Sequence, residues 1–395
     1  MNLADHNHCS GCGACYAICP HHAITMCPDA EVFFYPSVND QLCVSCGLCE
    51  KTCPAVNLGP SREPKVVYAA KAKDDELRQA SSSGGIFSLL AREIISTGGI
   101  VYGAAIRSSD LMVCHCSAET EDELAWLRGS KYVQSEMGDV YAQTKNSLEA
   151  GRLVLFSGTP CQVAGVRRFL GKDYDNLYCV EVICHAAPSP LAWKKYLEKR
   201  ATEAAGDGHL CLRPDTVIDR KISSRHKKCG WKRYSMSLRF HNDMEYLSDL
   251  TTDTYLRGFL AELYNRPSCH NCSVRELRSG ADITLGDYWN VHQRFPLMDD
   301  DMGTSVVLVN SDKGNALIEK IADLCNWAES DYADIRRTNP AVYRSSPPNS
   351  KRGKFFKLIR GGADFDQTVV RLLKRPLWKR FGSAVKQTLI RLSGK

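Results

Sequence analysis

Short apolar runs separated by glycine-rich turns set the hydrophobic pattern of this chain. Val66–Ala72 and Ile100–Ile106 are short and apolar, which predicts buried strands. Between them, Ile86–Ser96 repeats its apolar residues at helical spacing, after a Ser/Gly turn at residues 81–85 and before a Gly-Gly pair. These segments predict a βαβ unit with a glycine-rich turn at the start of its helix.

The same order recurs further along the chain. Residues 152–156 predict a strand, 157–160 a turn, 161–170 a helix and 177–183 the next strand. Strands that alternate with helices indicate an α/β core, which we expect over about residues 65–335. Residues 351–395 have a helical and basic pattern, so the fold class expected for the rest of the chain is an α/β core domain followed by a basic helical tail.

Eight cysteines dominate the first 58 residues and form two runs of identical spacing. Each run reads C-x2-C-x2-C-x3-C-P, the spacing of bacterial ferredoxins that hold 4Fe–4S clusters. Three closely spaced thiolates hold one face of a cluster, and the fourth cysteine crosses over to the other cluster. The predicted ligands are therefore Cys9, Cys12, Cys15 and Cys53 for one cluster, and Cys43, Cys46, Cys49 and Cys19 for the second.

This N-terminal segment predicts an α+β ferredoxin-like module, with a short strand at residues 32–35 between the two runs. Zinc ribbons use C-x2-C pairs but need neither the third cysteine nor the proline that follows each run. A disulfide framework needs an oxidising compartment, and nothing resembling a signal peptide precedes Cys9. We therefore expect iron–sulfur clusters in a reducing cytoplasm.

Charge is distributed unevenly along the chain. The net charge is +6, but residues 1–60 carry one Lys against five acidic residues, a net charge of −4. Residues 351–395 carry thirteen Lys or Arg against two Asp, a net charge of +11. Such segments often contact different partners, and a cationic tail could lie on the anionic inner face of a membrane. No apolar run is long enough to predict a membrane span.

These patterns divide the chain into four parts. Residues 1–58 form the predicted module with two 4Fe–4S clusters. The core divides into residues 65–150 and 151–345, and residues 346–395 form the predicted basic tail.

Two polar turns are candidates for binding a cofactor phosphate. Residues 81–85 place Ser and Gly at the start of a predicted helix, where backbone N–H groups favour an anion. The turn that begins at Gly129 adds one cation and one aromatic ring. The alternative for the first turn is an ordinary helix cap. The candidate residues are Ser82, Ser83, Gly84, Gly85, Gly129, Ser130, Lys131 and Tyr132.

Four further cysteines each lie at the end of a predicted element, and together they could form a third metal site, either 4Fe–4S or zinc. The start of a helix is expected to lower the pKa of the Cys161 thiol. Cys184 follows a predicted strand of the core, where the active sites of parallel sheets gather. Cys269 and Cys272 form a C-x2-C pair. The alternative for each cysteine is simple burial.

His185 and Asp287 are the candidates for proton transfer. His185 follows Cys184, and histidine titrates near neutral pH. Asp287 ends an apolar segment and precedes Tyr288 and Trp289, which could stack on a ring. The alternative for this segment is an edge strand followed by a turn.

The ordered set of motifs resembles one known family, that of the coenzyme F-420 hydrogenase/dehydrogenase beta subunits, over about residues 1–345. The resemblance rests on the two cysteine runs and then, in order, on residues 82–85, 129–135, 158–162, 184–185, 269–272 and 281–283. One departure is Ala186, where relatives usually have glycine after the histidine. This departure affects the inferred substrate more than the inferred flavin.

The resemblance implies an iron–sulfur flavoprotein. Such a protein binds FAD, through residues 82–85 and 129–135, and moves electrons between 4Fe–4S clusters and the flavin. The flavin exchanges a hydride with an organic acceptor, either F-420 or another molecule, and some relatives accompany surface-polysaccharide synthesis. The expected partners are a ferredoxin or a redox partner subunit and a small-molecule acceptor or donor.

Two other functions stay open at this stage. The chain could be a non-catalytic electron-transfer subunit whose acidic first module docks on a partner enzyme. It could also be a scaffold for glycan assembly whose cationic tail contacts the membrane surface. Nucleic-acid binding is not expected, because the basic stretch lacks a recognisable module.

Overall fold

The centre of the chain is an eight-stranded mixed sheet. The computed structural model describes residues 3–205 and 222–374. Its strands are Ile24–Pro28 (β1), Phe34–Val38 (β2), Val66–Ala72 (β3), Ile100–Ile106 (β4), Val113–Ala118 (β5), Val154–Gly158 (β6), Leu177–Val182 (β7), Ser223–His226 (β8), Ser235–Arg239 (β9), Glu245–Asp249 (β10), Ile283–Asp287 (β11), Ser305–Val309 (β12) and Cys325–Ser330 (β13). The central sheet has the order β13-β3-β12-β11-β7-β6-β4-β5.

Helices of four to sixteen residues surround the sheets. They are Ala14–Ile18 (α1), Leu48–Thr52 (α2), Asp75–Ala80 (α3), Ile86–Ser96 (α4), Glu121–Leu127 (α5), Val140–Glu149 (α6), Pro160–Leu170 (α7), Pro190–Ala205 (α8), Thr254–Leu260 (α9), Val291–Arg294 (α10), Asp312–Lys320 (α11), Tyr332–Thr338 (α12), Arg352–Arg360 (α13) and Phe365–Leu373 (α14).

Five strands of the central sheet run in the same direction. The sheet contains a parallel series of four strands, β4, β6, β7 and β11. The strand β12 pairs antiparallel with both β11 and β3, so β3 runs in the same direction as this series. Their carboxyl ends therefore lie along one side of the sheet, called the carboxyl edge below. In such sheets ligands bind outside the carboxyl ends of the strands.

The sheet is buried on both faces, as expected for a largely parallel sheet. Along β6, Leu155 packs in the same hydrophobic cluster as α4 and α11, whereas Val154 and Phe156 pack with α6 and α7. This arrangement explains why the strand has a continuous apolar sequence rather than an alternating one.

The predicted strands Val66–Ala72 and Ile100–Ile106 and the predicted helix Ile86–Ser96 are confirmed with their bounds. The two strands run parallel in one sheet with the helix between them in the chain, but they are not neighbours, because β12, β11, β7 and β6 lie between β3 and β4. The helix α3 was also missed. Local hydrophobic periodicity identifies elements, but the partners of a strand come from distant parts of the chain.

The N-terminal segment contains α1, α2 and the antiparallel hairpin β1-β2. The strand predicted at residues 32–35 begins later, at Phe34, and extends to Val38. Val32 has φ of 64° and lies in the left-handed region, which excludes it from a regular strand. The two strands of the hairpin lie between the two cysteine runs.

A second hydrophobic core joins the sheet β10-β9-β8 to α8, α9, α13 and α14. The first part of the predicted tail belongs to this core, because α13 and α14 bury Phe355, Phe356, Ile359, Phe365, Val369 and Leu372. The rest of the predicted tail, residues 375–395, lies outside the described residues. Within residues 3–205 and 222–374, no helix combines the length and the apolar character needed to cross a membrane.

Candidate functional site: three cysteine groups

The eight N-terminal cysteines line two separate cavities. Cys9, Cys12, Cys15 and Cys53 line a cavity of about 370 Å³, called the inner site. Cys19, Cys43, Cys46 and Cys49 line a cavity of about 330 Å³, called the outer site. In each group the fourth thiol comes from the other cysteine run, which is the grouping that the spacing predicts.

Two short helices produce this exchange. Gly13 and Gly47 adopt left-handed conformations, with φ of 78° and 74°, and begin α1 and α2. Each helix ends after five residues at an extended cysteine, Cys19 or Cys53. The last cysteine of each run is thereby directed away from its own loop and toward the other site.

The inner site faces the core and the outer site faces solvent. Cys12 packs against α7, where a Cβ on Gly165 would be 3.4 Å from the Cβ of Cys12. In the outer loop Cys46 is exposed, and the neighbouring Leu42 and Val44 are 50% and 59% exposed. The outer site is therefore the more accessible of the two.

Four cysteines from distant parts of the chain meet at the carboxyl edge. Cys161 lies in the first turn of α7 and Cys184 follows β7. Cys269 lies within a short 3-10 helix, Pro267–Asn271, and Cys272 follows its end. All four line one cavity of about 800 Å³, called the four-cysteine site. Ser10 of the inner loop also lines this cavity, so the two sites share a wall.

The predicted lowering of the Cys161 pKa was wrong. Burial raises the pKa of Cys161, and the neighbouring Cys272 raises it further. Burial likewise raises the pKa of Cys269 to about 12. At Cys161, desolvation disfavours the thiolate more strongly than the start of the helix favours it.

Packing places the inner site between the other two. Cys15 of the inner site and Cys49 of the outer site belong to one hydrophobic cluster. Ser10, Pro54 and Ala55 line both the inner cavity and the four-cysteine cavity. The order is therefore outer site, inner site and four-cysteine site.

One buried arginine connects the inner site to the four-cysteine site. Arg266 donates hydrogen bonds to the backbone oxygen of Cys9 and to the side chain of Gln134, at 2.8 and 2.7 Å. It also lines the four-cysteine cavity. The cysteine spacing gave no indication of this residue, which lies three positions before Cys269.

The two turns predicted to contact a cofactor meet each other. The backbone N–H of Ser130 donates to the Oγ of Ser82 at 2.7 Å. The N–H of Gly84 donates to Ser305 at 3.0 Å, and a Cβ on Gly84 would lie 2.5 Å from the backbone oxygen of Ala70. Gly84 is therefore required for close packing against β3 and β12. The hydroxyl of the neighbouring Ser83 donates to the backbone oxygen of Thr304 at 3.2 Å.

Lys131 has a structural role in this region. Its ammonium donates to three backbone oxygens at the end of α5, at 2.8 to 3.0 Å. Burial lowers the pKa of Lys131 to about 7. Gly129, with φ of 87°, lets the chain turn toward Ser82. The ring of Tyr132 packs on Phe259, with centroids 4.7 Å apart.

The two candidates for proton transfer lie in different environments. His185 lines the four-cysteine cavity, and its Nε2 lies 2.6 Å from a carboxylate oxygen of Glu262. Asp287, at the end of β11, forms an ion pair with Arg225 and accepts a hydrogen bond from the indole of Trp231 at 3.2 Å.

Arg225 was not predicted from the sequence. It lies above the rings of Tyr234 and Trp289, with its guanidinium carbon 4.3 and 5.4 Å from their centroids. Its Nε and Nη2 are buried and have no hydrogen-bond partner among the described residues. No sequence spacing marks this residue, because its partners come from three other segments of the chain.

Comparisons with known proteins agree with these features. Residues 8–57 match the 4Fe-4S dicluster domain. Residues 67–141 match the N-terminal part, and residues 151–332 the C-terminal part, of the coenzyme F420 hydrogenase/dehydrogenase beta subunit.

Two curated relatives and one solved structure are similar to parts of the chain. An uncharacterised protein of Methanocaldococcus jannaschii is 25% identical over 44% of the chain and 56% of its own length. A subunit of the F420H2 dehydrogenase of Methanosarcina mazei is 27% identical over 42% of the chain and 49% of its own length. The chain thus spans about half the length of these relatives. A structure of the F420-reducing [NiFe] hydrogenase complex from Methanosarcina barkeri is 17% identical, with a TM-score of 0.47, over 79% of the chain and 92% of the matched chain.

The two beta-subunit matches together cover more than half of the sequence, and the dicluster match covers both cysteine runs. The iron–sulfur assignment and the family resemblance are therefore confirmed. The chain belongs to the family of coenzyme F420 hydrogenase/dehydrogenase beta subunits and carries an N-terminal 4Fe–4S dicluster domain.

Proposed function

We propose that this protein is an iron–sulfur flavoprotein oxidoreductase in which electrons pass from the outer and inner sites through the four-cysteine site to FAD. Bound clusters would supply one-electron transfer, and bound FAD would combine two electrons for hydride exchange with an organic acceptor. The observation that carries the proposal is the order of the three adjacent thiol groups, ending at the carboxyl edge.

The lining of each cavity supports clusters in all three groups, because each cavity is lined by four thiols. The backbone N–H of Ala187 donates to the sulfur of Cys269 at 3.3 Å, the kind of contact that tunes cluster potentials. The four-cysteine site is therefore proposed to hold a third 4Fe–4S cluster, with the single zinc ion that the sequence left open as the alternative.

A chain of rings leads from the four-cysteine site toward the predicted flavin turns. The ring of His185 contacts Phe259 edge-on, with centroids 5.1 Å apart. Phe259 in turn contacts Tyr132, at the end of the second turn. Two ring-to-ring contacts thus connect the residue after Cys184 to the segment 129–132, a short path for an electron.

Arg225 supports a ligand beside Tyr132. Its guanidinium lies 3.4 Å from the hydroxyl of Tyr132, and two of its nitrogens are buried without a partner among the described residues. Buried donors are normally satisfied, so unpaired ones are consistent with an acceptor supplied by a cofactor. A flavin carbonyl or phosphate oxygen is such an acceptor. Asp287 would then orient Arg225, and His185, held by Glu262, would carry the proton.

The proposed hydride acceptor is F-420 or a related carrier, as the family indicates, and the proposed electron donor is a redox partner subunit. If the protein instead serves polysaccharide synthesis, a different organic acceptor would bind in the same site. The alternative is a subunit that only transfers electrons to a partner enzyme. The exposed outer site supports a protein partner in either case.

Anaerobic reduction with dithionite, followed by addition of deazaflavin, nicotinamide or quinone acceptors, tests this proposal. We expect bound flavin to be reduced and then reoxidised by one acceptor without a second polypeptide. Flavin that is reduced but never reoxidised by a small molecule would favour the electron-transfer subunit. Protein that binds no flavin at all would overturn the proposal.

A further inference from the structure

Arg266 is a cation at the boundary between the dicluster domain and the core. It is 1% exposed. Its Nε donates to the backbone oxygen of Cys9 at 2.8 Å, its Nη1 to the side-chain oxygen of Gln134 at 2.7 Å, and its Nη2 to the backbone oxygen of Phe34 at 3.0 Å. Two of these three acceptors belong to the dicluster domain.

The charge of Arg266 is not neutralised by these contacts. All three acceptors are uncharged oxygens. The guanidinium carbon also lies 4.1 Å from the centroid of the Tyr35 ring and 5.3 Å from that of Phe33, and both rings are neutral. A buried charge without an anionic partner acts strongly on nearby groups, because little water screens it.

Arg266 lies between two of the cysteine groups. Its Nε donates to the backbone oxygen of Cys9 of the inner site. Its side chain also lines the four-cysteine cavity together with Cys161 and Cys269. A buried positive charge beside a thiolate-bound centre favours an added electron on that centre.

We infer that Arg266 is a positioning residue shared by the two sites, whose single buried charge raises the reduction potentials of both. This inference rests on the proposed function. In the transfer step one electron leaves the inner site and one electron enters the four-cysteine site, with no bond or proton moved. Because the same charge lies beside the inner site and the four-cysteine site, it stabilises the electron on either one. Electron transfer between the two sites can therefore run in either direction.

The chain offers matched controls. Arg352 also joins the dicluster domain to the core, by an ion pair with Glu31 and a hydrogen bond to the backbone of Asn265. Arg275 contacts the backbone oxygens of Cys184 and His185 and so faces only the four-cysteine site. Replacing each of the three arginines should therefore have a different effect on the reduction potentials of the sites.

Redox titration of the anaerobic holoprotein, followed by electron paramagnetic resonance, tests the inference. Signals are assigned with the variants Cys46→Ser and Cys161→Ser. In Arg266→Gln we expect the reduced fraction of the inner and four-cysteine centres at a fixed potential to fall about tenfold, equivalent to about 59 mV for one electron. The outer centre should not change. Arg275→Gln should move only the four-cysteine signal, and Arg352→Gln none.

A second variant keeps the test decisive if Arg266→Gln does not fold. Gln134→Glu places a carboxylate on the oxygen that now lies 2.7 Å from Arg266 and should lower both midpoints in the same way. Unchanged midpoints in Gln134→Glu and Arg266→Gln, or the same shift in Arg352→Gln, would overturn the inference. Protein that lacks a third cluster by iron and sulfide analysis would instead contradict the proposed function.

Discussion

The inner and outer sites have the same cysteine spacing but opposite surroundings. At the position before the second cysteine, the inner loop has Gly11, where an added Cβ would lie 2.6 Å from Gln134 and 2.9 Å from Arg266. The outer loop has Ser45 at the equivalent position, left-handed and exposed. The two loops thus share one spacing, whereas the residues around them pack the inner loop against the core and leave the outer loop exposed.

The largest expected contrast comes from removing one thiol at each site. Cys12→Ala should abolish reduction of bound flavin by a reduced ferredoxin, because the inner site is the only proposed connection to the four-cysteine site and a protein donor is too large to reach the flavin directly. Cys46→Ala should retain part of this reduction, since the inner site and the rest of the proposed path stay intact. Each variant should lose about four irons per chain, as one 4Fe–4S cluster requires. Stopped-flow absorbance and iron analysis measure both effects, and equal flavin reduction in the two variants would contradict the linear order.

Glycine replacements separate crowding from backbone strain. Gly11→Ala and Gly47→Ala both place a side chain at positive φ, which costs about 1–2 kcal/mol. A Cβ added at Gly47 would have no atom within 4 Å, whereas Gly11 is crowded, which should add about 1–3 kcal/mol. Urea unfolding of the anaerobic proteins should therefore show a clearly larger loss of unfolding free energy for Gly11→Ala. Equal losses would mean that the inner loop is not pressed against the core.

The ion pair that anchors the hairpin between the two runs should have a smaller effect. The side chains of Arg352 and Glu31 are 15% and 18% exposed, so their ion pair lies between a surface salt bridge and a fully buried one. Arg352→Gln should lower the free energy of unfolding by about 2 kcal/mol, an intermediate value. A double-mutant cycle with Glu31→Gln isolates the pair, and a coupling energy near zero would show that it does not hold the domain in place.

The smallest expected effect is kinetic. An exposed outer site should lose its iron to a chelator before the inner site does, because Cys46 is accessible and Cys12 is packed against α7. Absorbance and electron paramagnetic resonance during incubation with a chelator would follow the two losses. Simultaneous loss, or loss from the inner site first, would remove the distinction between the sites.

The sequence predicts what is encoded locally. The spacing groups three cysteines of each site, because they lie within seven residues, and the ferredoxin pattern predicts the crossover of the fourth. Strand neighbours such as β3 and β12 could not be predicted, since hydrogen bonding joins segments more than 200 residues apart.

Long-range contacts also explain the residues that were missed. Arg266 and Arg225 matter because of what folding brings to them, and no pattern around either residue marks it. The pKa of Cys161 was predicted with the wrong sign because its helix position is visible in the sequence and its burial is not.

The most direct test of the central claim is the metal and flavin content of protein purified without oxygen. Three occupied sites predict about twelve irons and twelve sulfides per chain, as three 4Fe–4S clusters require, together with one releasable FAD. Colourless protein that contains zinc, or no metal and no labile sulfide, would contradict the account.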